Sequence, residues 1–193
     1  MASSSPALCG LVLAAGAGTR FGGPKALASE PDGTAWVARA VRMLRDAGCD
    51  EVIVLLGASA AEAGSLVPAE AMVVTVEAWQ EGLSATIRAG LDAASALPAD
   101  AVLLTPVDTP SASPDAAIRV REQALAAAPP SRALARAVYA GRPGHPVLIG
   151  REHWPAVRES LAGDAGAGAY LSAHGALEVE CGDLWSGADV DRR

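Results

Sequence analysis

The sequence predicts a three-layer α/β/α domain built on a mostly parallel sheet. Two patterns carry this: short, continuously apolar runs recur along the chain, and between them apolar residues fall at helical spacing. Runs that are apolar throughout suit strands buried on both faces, the condition created when helices cover both sides of a parallel sheet. The 193 residues fit a single domain, 1–193, with no internal repeat or composition shift to divide it.

In chain order, residues 8–15 form a brief apolar run closed by glycines, which reads as a buried central strand. Over 34–48, Val37, Ala40, Val41 and Leu44 share one stripe while Arg39, Arg42 and Arg45 lie off it. That is an amphipathic helix, with Gly48 as its C′ residue. Residues 51–56 (EVIVLL) give a second buried strand, a short alanine-rich helix follows to Leu66, and 72–77 (MVVTVE) give a third strand. Residues 84–97 read as a helix with Ser84 at its N-cap and Ile87, Leu91 and Ala94 on one face, stopped by Pro98. A strand at 101–107 and a helix at 115–128 come next, the latter ended by Pro129 and Pro130. Strands at 133–139 and 146–149 flank a turn at 141–144. Helices at 154–161 and 165–173 precede a last strand at 177–181.

The charge balance removes some functions. A net charge of −7 gives no broad basic face for nucleic acid, whose phosphates need clustered Lys and Arg. No apolar run approaches the roughly 18 residues of a membrane span, and residues 1–6 lack the pattern of an export signal, so the expected location is cytoplasmic. Cys9, Cys49 and Cys181 show no metal-binding spacing and read as reduced thiols. Of fifteen basic residues fourteen are arginine, and the single lysine, Lys25, lies beside a glycine-rich turn.

That turn is Leu13-Ala-Ala-Gly-Ala-Gly-Thr-Arg-Phe-Gly-Gly-Pro-Lys25, directly after the first strand. Glycines there let backbone N–H groups approach an anion closely, and phosphate is the natural guest. A dinucleotide fingerprint is disfavoured, because Phe21 stands at the third glycine position and the second strand ends in Leu55-Leu56-Gly57 without an acid for a ribose. A Walker loop is disfavoured too: Pro24 separates Gly23 from Lys25, and Ala26 replaces the hydroxyl residue. Arg20 can fork onto phosphate oxygens and Lys25 can act as a point charge. Asp108 ends the strand at 101–107, where open α/β sheets build their sites, and its carboxylate suits Mg²⁺.

The same turn resembles the signature of the MobA-like nucleotidyltransferases, and the molybdenum cofactor cytidylyltransferase (MocA-like) group in particular. Four later segments match in order: Trp79-Gln-Glu-Gly-Leu-Ser84 with Ile87-Arg-Ala-Gly-Leu91, Pro106-Val-Asp-Thr-Pro110, Gly144-His-Pro-Val-Leu-Ile149, and Asp189-Val-Asp191. The resemblance implies a Rossmann-like fold of the nucleotide-diphospho-sugar transferase type. It implies an enzyme that moves a nucleoside monophosphate from an NTP, CTP favoured by the double alanine of LAAG, to a small phosphorylated acceptor such as molybdopterin. Arg20 and Lys25 would be the catalytic cations. Leu13, Ala14, Ala15, Gly16, Gly18, Thr19, Gly82, Leu83 and Ser84 would hold the nucleotide. Asp108 and Asp191, with Asp189 as second choice, would hold Mg²⁺, and His145 would line the acceptor pocket. Trp79 and Trp154 read as packing residues. Two departures stand out: Asp191-Arg-Arg193 follows the late acids where the family continues Thr-Pro-Glu/Asp, and Gly163-Asp-Ala-Gly-Ala-Gly168 lacks the group's arginine. GTP, a phospho-carboxylate acceptor, or a nucleotide-binding domain without catalysis are the alternatives.

Overall fold

The structure, a computed structural model, describes residues 6–192. Residues 1–5, most of the stretch read as lacking an export signal, lie outside the described residues, as does Arg193. Seven strands form one sheet: β1 (Leu8–Ala14), β2 (Glu51–Leu56), β3 (Met72–Thr75), β4 (Ala101–Pro106), β5 (Leu134–Tyr139), β6 (Arg142–Gly150) and β7 (Leu177–Glu180). Their order is β3-β2-β1-β4-β6-β5-β7. The first four strands run parallel, β6 is antiparallel to both its neighbours, and β7 is parallel to β5. The helices are α1 (Trp36–Asp46), α2 (Ala60–Ala63), α3 (Leu83–Ser95), α4 (Pro114–Ala127), α5 (Trp154–Ser160) and α6 (Gly168–Ala173).

Strand alternation divides the core into two layers. From β1 and β2, Val12, Val52, Val54 and Leu56 join Val37, Val41 and Leu44 of α1 and Val120 of α4. Leu11, Leu13, Ile53 and Leu55 point the other way, to Ile87 and Leu91 of α3, Val157 of α5 and Leu171 of α6. Residues 52–56 are wholly buried, which is why that strand shows no polar alternation. No helix among the described residues is long and apolar enough to cross a membrane.

α1 ends as its sequence indicates. The Gly48 amide donates to Arg45 O at 2.8 Å and the Cys49 amide to Leu44 O at 3.0 Å, the paired bonds of a Schellman motif. Several boundaries differ from expectation, and three of them have a structural reason. β6 begins at Arg142 rather than 146, because the hairpin turn is only Ala140-Gly141, both at positive φ. Pro143 is tolerated inside β6 because β4 pairs only with residues 147–150, leaving 142–146 bonded on one side. α3 begins at Leu83 with Gly82 as its N-cap, and Ser84 is buried within the helix, its amide donating to Gly163 O at 3.0 Å. α6 begins at Gly168 rather than 165, after a turn at 163–164.

The three thiols are buried, and burial pushes Cys9 and Cys49 up to about 12. At pH 8 only about one molecule in 10⁴ then carries the reactive thiolate at either position. The folded protein is expected to react with a disulfide reagent at least ~100-fold more slowly than the unfolded chain. Rapid titration of all three thiols in the folded state would contradict the packing of β1 against α1 and β2.

Candidate active site

β1 and β4 lie side by side with Leu13 opposite Pro106, so the loops leaving their carboxyl ends face each other. The loop after β1 folds onto itself. Gly18 O accepts from the amides of Phe21, Gly22 and Gly23 at 2.9, 3.0 and 3.1 Å. Phe21 is 6 % exposed and packs against Trp36 with ring centroids 5.3 Å apart, tying the loop to the α1 layer of the core. Pro24 then leads into the single 3-10 turn Lys25–Leu27, whose Ala26 is fully buried. Lys25 thereby projects back across the sheet end.

Lys25 Nζ donates to Asp108 Oδ2 at 2.8 Å and to Asp191 Oδ1 at 3.2 Å. Burial of the ammonium works against its charge, but hydrogen bonds and attraction from Asp108, then Asp191, outweigh this and raise its pKa above the ordinary lysine value. It is therefore charged at neutral pH. The C-terminal segment is fixed here by backbone: the Val190 amide donates to Asp108 O at 2.8 Å, which sets Asp189 and Asp191 around Asp108. One carboxylate oxygen from each of Asp108, Asp189 and Asp191 lies within 4.8 Å of the others. Arg20, exposed, reaches to 4.0 Å from Asp191. An all-oxygen, three-carboxylate set fits a hard divalent cation, whose opposed ligands stand about 4–5 Å apart. Asp189 thus belongs to the cluster as fully as Asp191.

Arg20, Lys25 and Asp108 of this group sit at one side of a hollow of about 500 Å³. Leu13, Ala14, Ala15, Gly16, Gly18, Gly82 and Leu83 line it, together with Arg20, Lys25 and Asp108. Thr19 and Ser84 do not: Thr19 faces solvent, and Ser84 is buried inside α3. The walls also include Trp79, Gln80, Thr86 and Asp164, none singled out as a site residue from the sequence. For Asp164 a signal existed in Gly82, whose φ of 99° favours glycine. A Cβ there would stand 2.4 Å from Asp164 Oδ1, so the 163–164 turn closes directly onto the start of α3.

His145 is elsewhere. It lines a second hollow of about 200 Å³ that shares Leu13 and Leu83 with the first as a common wall. Burial lowers its pKa, against the smaller opposing pull of Asp108 and then Asp189. The imidazole is accordingly neutral at neutral pH.

A parallel sheet whose carboxyl edge carries a glycine-rich loop, two converging cations and a carboxylate cluster has the organisation of a nucleotidyltransferase. The chain belongs to the MobA-like NTP transferase domain family, whose model matches residues 10–179. It is 34 % identical over 197 residues, 96 % of this chain and 93 % of the relative, to the protein named nicotine blue oxidoreductase from Paenarthrobacter nicotinovorans. Rv0371c from Mycobacterium tuberculosis H37Rv superposes with a TM-score of 0.78 at 25 % identity, over 98 % of this chain and 95 % of that one. A manganese complex of Rv0371c superposes with a TM-score of 0.68 at 24 % identity, covering 91 % and 88 % of the two chains.

Proposed function

We propose that the protein is a cytoplasmic cytidylyltransferase that moves CMP from CTP to molybdopterin with release of pyrophosphate, using Mg²⁺ held by Asp108 and Asp191. The observation that carries the reading is Lys25 bridging Asp108 and Asp191 at the mouth of a hollow walled by the glycine loop. The preference for CTP and molybdopterin rests on the family resemblance of the LAAG, GHPV and Asp-x-Asp segments.

In this reaction an oxygen of the acceptor phosphate forms a bond to the α-phosphorus while the bond to the bridging oxygen of the β-phosphate breaks. Crowded negative charge is the main barrier, so positioning and neutralisation do most of the catalysis. The amides of the 16–18 loop cradle the phosphates, Arg20 forks onto their oxygens, and Lys25 places an ammonium between phosphate and acids. A divalent cation, when bound, supplies further neutralisation at the phosphate oxygens. Asp108 and Asp191 would hold it, with Asp189 beside them.

Pyrophosphate release with each NTP, Mg²⁺ and molybdopterin tests this, with CTP expected to give the fastest turnover. Folded protein that releases none with any NTP overturns it, and nucleotide-induced stabilisation without release would leave a non-catalytic nucleotide-binding domain. Asp108→Ala is expected to lose about 10²–10³-fold in turnover while remaining folded. Faster turnover with GTP, or with a phospho-carboxylate acceptor, reassigns the partners within the same chemistry. The relative named as an oxidoreductase motivates a second reading, in which the same hollow serves a redox reaction. Oxidation of a reduced nicotinamide nucleotide without pyrophosphate release would favour it.

A further inference from the structure

The two acids that meet Asp108 lie on residues 181–191, which leave β7 and cross to the carboxyl end of β4. Asp189 and Asp191 are exposed, carry the same charge and belong to no helix or strand. Their repulsion drives them apart unless the chain that bears them is held. Near β7 the Arg119 guanidinium grips both Asp183 carboxylate oxygens, at 2.6 and 2.8 Å. Between the two acids the Val190 amide donates to Asp108 O at 2.8 Å. Midway, the chain lies on Tyr139 at the end of β5. Three neighbours fix that buried ring. Its hydroxyl donates to His145 O at 2.6 Å, and Trp185 meets it edge-on with ring centroids 5.2 Å apart. A Cβ on Gly144 would stand 2.8 Å from Tyr139 Cδ2, so the β6 backbone lies directly against the ring. Gly187 comes nearer still: a Cβ there would stand 2.3 Å from Tyr139 Cδ2, and its φ is 74°. Both the turn and the close approach call for glycine.

We infer that Tyr139 is a positioning residue, its ring being the seat on which Gly187 turns the chain back toward Asp108 and so delivers Asp189 and Asp191 to the cation cluster. This rests on the reading of the three acids as the cation site of the transferase. Gly187 stands two residues before Asp189 and four before Asp191, so its seat limits where both acids can go. The ring cannot give way to a larger residue at 187, because His145, Gly144 and Trp185 already hold it. The chain must move instead. Without the seat, the stretch between Asp183 and Val190 gains conformational freedom, and the acids spend less time around Asp108. A cation then has to order them as it binds, and binds more weakly.

Two measurements on the isotope-labelled full-length protein test this. Hydrogen exchange without metal reads the Val190 amide against the amides of β1, and the EPR signal of free Mn²⁺ gives the metal affinity. In Gly187→Ala and Tyr139→Leu, Val190 is expected to exchange at least ~10-fold faster while β1 keeps its protection. Mn²⁺ affinity is expected to fall at least ~10-fold in both, as loss of a group that orients metal ligands does. Tyr139→Phe keeps the ring against Gly187 and should hold Val190 exchange and Mn²⁺ affinity within ~3-fold of the unaltered protein. A merely structural role would speed β1 and Val190 together. Val190 exchange that is unchanged or that only follows β1 in Gly187→Ala overturns the proposal, even if Tyr139→Leu does not fold. So does full Mn²⁺ affinity in a variant whose Val190 is freed, or a Tyr139→Phe variant that behaves like Gly187→Ala. Failure of the unaltered protein to bind Mn²⁺ overturns the cation reading and the affinity claim with it, while Val190 exchange decides the seat by itself.

Discussion

Lys25→Met is expected to reduce turnover at saturating nucleotide by about 10²–10³-fold, the loss that follows removal of one preorganised charge-stabilising group. Two carboxylates of the three-acid cluster hold this ammonium, which sits 2.8 Å from Asp108 and 3.2 Å from Asp191 and is the one cation hydrogen-bonded to them among the described residues. Arg20 cannot replace it, being exposed and no nearer than 4.0 Å to Asp191. Without Lys25 the acids repel one another, so the variant should also be less stable in the absence of metal. Added Mg²⁺ should restore part of that stability, because a cation that binds only the folded cluster stabilises it by mass action. Lys25→Arg should rescue incompletely, since a planar fork cannot reproduce a compact ammonium held between two carboxylates. The measurements are pyrophosphate release and Tm with and without Mg²⁺. Near-normal turnover in Lys25→Met would remove the lysine from the chemistry, and a metal-independent Tm would remove the cluster as a cation site.

Much of the fold is legible because its strands are buried on both faces. The runs at 8–15, 51–56 and 101–107 have no polar face to blur them, and each lies within one residue of its observed strand. The start of β6 is not legible, because Pro143 signals a turn wherever both edges of a strand are bonded, and only the sheet order leaves one edge free. Ser84 carries the residue type of an N-cap, yet the positive φ of Gly82 and the approach of Asp164 place the helix start one residue earlier. The site divides in the same way. The phosphate-loop character of 13–25 is local and readable. The meeting of Lys25 with Asp108 spans 83 positions and depends on β4 lying beside β1. Asp189 and Asp191, two residues apart, share one face of an extended segment, but that pattern alone does not say what the face meets. The Val190–Asp108 backbone bond gathers both acids around one carboxylate, and no local pattern encodes it. Trp79, Thr86 and Asp164 come from three separate turns or helices, and only the closed fold makes them one wall.

Gly18→Ala should be the most damaging single-methyl change in the loop, because three requirements coincide at that residue. Its φ is 59°, a Cβ would stand 2.0 Å from Gly23 O, and its own carbonyl accepts three amides. The obstructing atom is backbone, so no side-chain rotation relieves the contact and the turn must open. Losing those hydrogen bonds at about 0.5–1.5 kcal/mol each amounts to roughly 2–4 kcal/mol. For a chain of this length that corresponds to a fall in Tm of about 4–16 °C. The effect reaches global stability because Phe21, inside the same turn, is anchored on Trp36 in the core. Gly16→Ala is the internal control: it lies in the same loop, with nothing within 4 Å of an added Cβ, and its Tm should stay within ~2 °C. Nucleotide affinity should fall at least ~10-fold in Gly18→Ala, because the amides that face the phosphates are displaced with the turn. If Gly18→Ala melts with the unaltered protein and binds CTP as well, the loop is not the phosphate cradle, and the assignment of the first hollow to a triphosphate fails with it.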